Sequence, residues 1–161
     1  MPRGGRDRPR SARDHALGLL SRREHSAREL KAKLVARGHS PDESTVAVEE
    51  LRRRAWQSDE RFAASLARQR AAQGYGPARI RAELQSHGVA RAGIEQVFVA
   101  LDVDWVAAAA AQLRRRCGTG GVPTREERMA RAAFLLRRGF DAATVRRVTS
   151  ADAGDPDSEA D

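Results

Sequence analysis

Cysteine is almost missing from this sequence: Cys117 stands alone among 161 residues, so neither an internal disulfide nor a cysteine-only metal site can form. Aromatic residues supply only 4% of the chain, and no apolar run approaches the roughly 20 residues that span a bilayer. The opening MPRGGRDRPRS carries charge but none of the apolar stretch a secretory signal needs. No segment alternates apolar and polar residues as a half-buried strand would. No HExxH pattern occurs, and His15, His25, His39 and His87 are scattered. His25 and Glu29 are four apart on an expected helix and read as a surface contact. GTGG at 118–121 lacks the GK[ST] of a phosphate loop and reads as a linker. The expectation is a cytoplasmic protein with no catalytic residues, no metal and no cofactor.

Charge is abundant, and its placement is uneven. The net charge is +8, and only Lys31 and Lys33 among the 30 basic residues are lysine. Residues 1–13 hold five arginines against Asp7, and residues 14–60 balance nine bases with nine acids. Residues 106–150 hold ten arginines against three acids, whereas 151–161 (ADAGDPDSEAD) holds five acids and no base. A field of this sign attracts polyanions, either nucleic acid or an acidic protein surface.

Helix signals recur along the whole chain. Ser11 and Asp14 open a first helix with an apolar face of His15, Ala16, Leu19 and Leu20. Ser26 and Glu29 have the spacing of a reciprocal capping box, followed by Leu30 and Leu34 on one face and Gly38 as a left-handed stop. Ser40, Pro41 and Glu43 start a third helix that buries Val48, Leu51 and Ala55. Ser58 opens a longer one with Phe62, Leu66 and Gln69. Then the phrase EHSARELKAKL (24–34) returns as GYGPARIRAEL (74–84), with Gly76 as N-cap, Pro77 at the first helical position and Gly88 as the stop. A weaker third copy runs from Thr124 and Glu127 through Leu135 to Gly139. In each copy a leucine stands four residues before the glycine. Eight before it stand Leu30, Ile80 and, breaking the pattern, Arg131. Each copy is followed by another short helix, and Asp102 or Asp104 caps the helix that opens the third unit.

These signals predict an all-α fold of three tandem three-helix repeats, about nine helices in an elongated array. The expected divisions are 12–57, 58–101 and a strongly basic 102–149, with disordered tails at 1–11 (basic) and 150–161 (acidic). The acidic tail is expected to fold back on the third unit and compete with its polyanion.

Binding candidates concentrate in that unit: Arg114, Arg115 and Arg116, then Arg125, Arg128 and Arg131 at helical spacing, then Arg137, Arg138, Arg146 and Arg147. The middle three are expected to form a guanidinium stripe opposite Met129, Ala133 and Leu136. Tyr75, in its glycine-flanked loop, either contacts a partner together with Arg79 or seals a joint between helices. Trp56 and Trp105 read as packing residues at unit boundaries. The helices after Gly38 and Gly88 are too acidic, or too poor in base-reading side chains, for sequence-specific DNA recognition.

RREHSARELKAKL (22–34), SDERFA (58–63), GYGPARIRAEL with Gly88, and RRGF (137–140), taken in order, resemble the RecX family of bacterial recombination regulators. The resemblance covers about residues 14–149. Trp56 and Gln57 replace the family's usual small-then-apolar pair, and Ser58 replaces an acid. The resemblance implies a protein that binds the RecA recombinase and its DNA filament, in the groove, and restrains strand exchange, ATP hydrolysis and co-protease activity. It also implies tandem three-helix repeats. The alternative is a DNA-binding architectural or transcriptional regulator that acts on the phosphate backbone of duplex DNA directly.

Overall fold

The computed structural model describes residues 10–118 and 122–151, and these form nine α-helices with no strand. The first unit holds α1 (Ala12–Leu20), α2 (Ala27–Ala36) and α3 (Pro41–Arg53). The second holds α4 (Asp59–Ala72), α5 (Pro77–Ser86) and α6 (Arg91–Leu101). The third holds α7 (Trp105–Cys117), α8 (Arg125–Arg137) and α9 (Ala142–Ala151). Residues 1–9, 119–121 and 152–161, on which most of both expected tails and most of the GTGG linker fall, lie outside the described part.

The helices begin where small polar side chains can satisfy free backbone donors. Ser11, Ser26 and Ser58 each accept from an N–H three residues on, and Asp104 accepts from Val106 and Ala107. Reciprocal capping boxes close at Ser40–Glu43 and at Thr124–Glu127. Gly38, Gly88 and Gly139 follow α2, α5 and α8 with positive φ, as the sequence predicts. Asp102 is not a start signal; it ends α6 in the left-handed region, and Asp104 caps alone.

Each unit closes its own core. Leu30, Leu34, Val48 and Leu51 fill the first, and Phe62, Leu66, Ile80, Leu84 and Ile94 fill the second. Leu113, Leu135, Phe140, Val145 and Val148 fill the third. All substantial helix–helix packing lies within a unit, so neighbouring units meet through loops and side chains. Trp105 is the one aromatic that packs against both the second and the third core.

Three expectations need correction. Ala55 is exposed, beyond the end of α3, with φ of 56°. It takes the chain-reversing place that glycine holds after α2, α5 and α8, and so cannot reach the core. Ser26 accepts from Glu29 N–H, but the Glu29 carboxylate does not reach back to the cap. It pairs instead with Arg23 Nη2 at 2.5 Å and Lys33 Nζ at 3.1 Å. His25 is not a surface residue: it is 2% exposed, just ahead of the cap, with Nδ1 3.1 Å from Glu29 Oε2 but too misaligned for a hydrogen bond.

Candidate polyanion-binding surface and the joints behind it

The expected arginine stripe on α8 is turned toward the protein. Leu135 is fully buried and sets the inward direction of the helix. At about 100° per residue, Arg131 (four earlier) and Arg128 (seven earlier) lie within about 40° of it. Both are half-buried, while Arg125 is exposed. Arg131 occupies the place of Leu30 and Ile80, which are fully buried in the other units. Met129 and Leu136, expected inside, are 64% and 51% exposed. The sequence held the clue, because the leucine four before each stop glycine fixes the core face of every middle helix.

The remaining arginines divide into open and committed ones. Arg114 and Arg115 are exposed in the last turn of α7, Arg137 is exposed at the end of α8, and Arg146 and Arg147 are exposed on α9. Arg116, also exposed, lays its guanidinium 4.6 Å from the Phe134 ring. It borders a cleft of about 470 Å³ with Cys117, Val122, Pro123, Glu127, Ala130 and Arg131.

Arg138 is committed to a joint. Its Nε donates to Gly74 O at 3.1 Å, and its Nη2 donates to Gln73 O at 3.0 Å and to Gln112 Oε1 at 3.3 Å. The guanidinium lies 4.8 Å from the Tyr75 ring and 5.4 Å from Phe134. Arg79 lies 4.5 Å from the same tyrosine ring. Tyr75 is thus half-buried in contact with two arginines, where the third unit meets the second. Sequence reasoning missed Gln112 as a partner of Arg138, since nothing local connects side chains twenty-six residues apart.

The glycines around Tyr75 make that meeting possible. Gly76 N–H donates to Arg138 O at 2.8 Å and Ala78 N–H to Gly139 O at 3.0 Å. The start of α5 therefore has no side-chain cap, because carbonyls at the end of α8 satisfy its free donors. Opposite ends of the two helix dipoles also meet there. A Cβ on Gly76 would lie 2.4 Å from the backbone of Gly139 and Phe140, and one on Gly139 would lie 2.5 Å from Arg79 Cβ.

The joint between the first two units is also polar but differently built. Gln57 Nε2 donates to His25 O at 3.1 Å and to Asp59 Oδ1 at 2.9 Å, and Asp59 Oδ1 accepts from Ala27 N–H at 2.9 Å. Arg61 donates to Glu24 at 2.8 Å and to Trp56 O at 3.0 Å. Burial pushes the His25 imidazole toward its neutral form, against the pull of the Glu29 charge. Burial also opposes ionisation of Glu29, but hydrogen bonds from Arg23 and Lys33, with His25 beside it, hold its carboxyl down at about 2. Trp56, 44% exposed, has Arg13 and Arg54 at 5.7 and 5.3 Å from its ring.

Family models for the first, second and third three-helix domains of RecX match residues 12–51, 58–97 and 102–149 in that order. The chain belongs to the RecX family. The regulatory protein RecX of Xanthomonas axonopodis pv. citri (strain 306) is 44% identical over 153 residues, covering 95% of this chain and 94% of that one. The RecX protein of Stenotrophomonas maltophilia (strain K279a) is 43% identical over 157 residues, covering 96% of each. The crystal structure of RecX from Lactobacillus salivarius superposes with a TM-score of 0.71 at 20% identity, covering 87% of this chain and 93% of that one. A second crystal structure, of regulatory protein RecX, gives a TM-score of 0.72 at 21% identity, covering 86% and 70%. At those identities the two structures establish the shared fold. Among the described residues no helix is long and apolar enough to cross a membrane, and no three His, Cys, Asp or Glu side chains converge as a metal site.

Proposed function

We propose that this RecX-family chain is a regulator that binds the RecA recombinase on DNA and restrains strand exchange, ATP hydrolysis and co-protease activity. The observation that carries the reading is the match of all three RecX domains, in order, along the described chain. The third unit supports it further, since its exposed arginines suit a filament that offers carboxylates and phosphates together. In this reading Arg114, Arg115, Arg116, Arg125, Arg137, Arg146 and Arg147 face the filament. Arg128 and Arg131 stand at the edge of that surface, while Arg138, Tyr75 and Arg79 hold it in place through the joint.

The test titrates the protein into RecA's DNA-dependent ATP hydrolysis and strand exchange, with a mobility-shift assay on the same DNA without RecA. Inhibition is expected at concentrations too low to occupy the naked DNA. Inhibition only once the DNA itself is coated would replace this reading with direct duplex binding, which the exposed arginines on α7 and α9 also suit. Replacing Arg114, Arg115, Arg146 and Arg147 by alanine should weaken filament binding and flatten its dependence on salt.

A further inference from the structure

Val122, Met129 and Leu136 are all large apolar side chains left in solvent on the most basic unit, at 76%, 64% and 51% exposure. Met129 and Leu136 are seven residues apart on α8. Seven residues are two turns, so the two side chains point within about 20° of each other, about 10 Å apart along the axis. Neither belongs to the core cluster of the third unit. Arg125, one turn before Met129, and Arg137, beside Leu136, are exposed at the two ends of this pair. Glu126 is the exposed acid on the same side, while half-buried Arg128 lies about 100° round the helix from Met129, toward the core.

A phosphate backbone would engage the arginines and leave the thioether and the isobutyl group in water, with nothing gained from either. Burying both requires an apolar partner surface. Methionine and arginine are enriched where proteins dock on one another, and an apolar centre with a charged rim is the usual layout of such a surface.

We propose that the outward face of α8 is a protein-docking face. Met129 and Leu136 enter an apolar groove on the recombinase subunit itself, and carboxylates on the rim of that groove meet Arg125 and Arg137. The assignment rests on the filament-binding reading and divides its labour. Naked phosphate falls to the arginines of α7 and α9, and the protein falls to α8.

The deciding variant is the double change Met129→Gln and Leu136→Gln, which keeps side-chain length on an exposed helix face. Val35→Gln serves as the control, because Val35 is 44% exposed at the matching place three residues before Gly38. Thermal unfolding first establishes that both variants fold like the parent. Affinity for RecA filaments on single-stranded DNA is then measured across a salt series, with naked DNA and sedimentation alongside.

The double variant should lose roughly 10- to 100-fold in filament affinity, the order expected for two apolar side chains. Its salt dependence, its naked-DNA binding and its oligomeric state should stay unchanged, and Val35→Gln should match the parent. Filament affinity within two-fold of the parent overturns the proposal. An equal loss on naked DNA would assign the face to nucleic acid, and a change in self-association would assign it to a second copy of the chain; either overturns it too. A parent protein that does not bind the filament at all removes the functional reading beneath, which is a different result from an unaltered double variant.

Discussion

Ala55 holds a backbone conformation that costs an L-residue about 1–2 kcal/mol, at φ of 56°. No hydrophobic contact rewards it, because the side chain is exposed. Ala55→Gly removes the steric penalty while giving the unfolded chain more freedom, so a net gain of about 0.5–1 kcal/mol is expected in urea unfolding. A loss of stability would show that the methyl group has a role the geometry does not reveal. His25 and Glu29 set a second, pH-dependent response. Both bind protons less tightly in the fold than in the unfolded chain, so below each ordinary value the unfolded state takes up more protons. Stability should therefore begin to fall as pH drops below 6.5, the ordinary value for His25, and fall again from 4.5 toward 2 through Glu29. Glu29→Gln should lose less stability than the parent between pH 4.5 and 2, and equal losses would place the acid sensitivity elsewhere. Caps and stop glycines are legible in sequence because they act within four residues. The burial of His25 is not: its carbonyl accepts from Gln57, more than thirty positions on, a contact no local pattern encodes.

At the scale of the helix, α8 shows how a correct element can carry a misread face. Its start, its stop and its buried leucine all follow from spacing, yet i, i+3, i+6 arginines look like a solvent stripe only when the core direction is ignored. Leu135 fixes that direction and brings Arg128 and Arg131 inward, and the third core accepts this by recruiting Phe140 and the neighbouring Trp105 and Phe134. With six buried apolar residues against nine in each of the other units, counted among the described residues, the third core has the least burial to hold its helices. Its capping box should matter correspondingly. Thr124→Ala removes the acceptor for Glu127 N–H and should cost about 1 kcal/mol. The loss should appear as faster amide exchange in the first turn of α8, with the first unit unchanged. Uniform acceleration across all three units would mean that the chain unfolds as one body.

For the molecule as a whole, two thin polar joints decide how three self-contained cores present their surfaces, and nothing in the repeat pattern distinguishes them. The first joint brings the approach to α2 against the start of α4; the second places the end of α8 against the start of α5. Sequence periodicity predicts equivalent units and so cannot anticipate unlike joints. Arg138 is the residue on which this distinction can be tested. A phosphate contact needs a positive charge and would tolerate lysine at that position. The joint instead needs a planar fork that donates to Gly74 O, Gln73 O and Gln112 Oε1 while lying near Tyr75, and lysine cannot reproduce it. Arg138→Lys should therefore behave like Arg138→Ala: helical content kept, exchange at the Gly76 and Ala78 amides accelerated, and the proposed inhibition of the recombinase weakened. Gly76→Ala should do the same without touching any charge, since its Cβ would strike backbone that cannot give way. If lysine restores full inhibition and slow exchange, Arg138 belongs to the binding surface. If all three variants fail alike, the third unit acts only when its joint to the second holds its arginines and the outward face of α8 in a fixed direction.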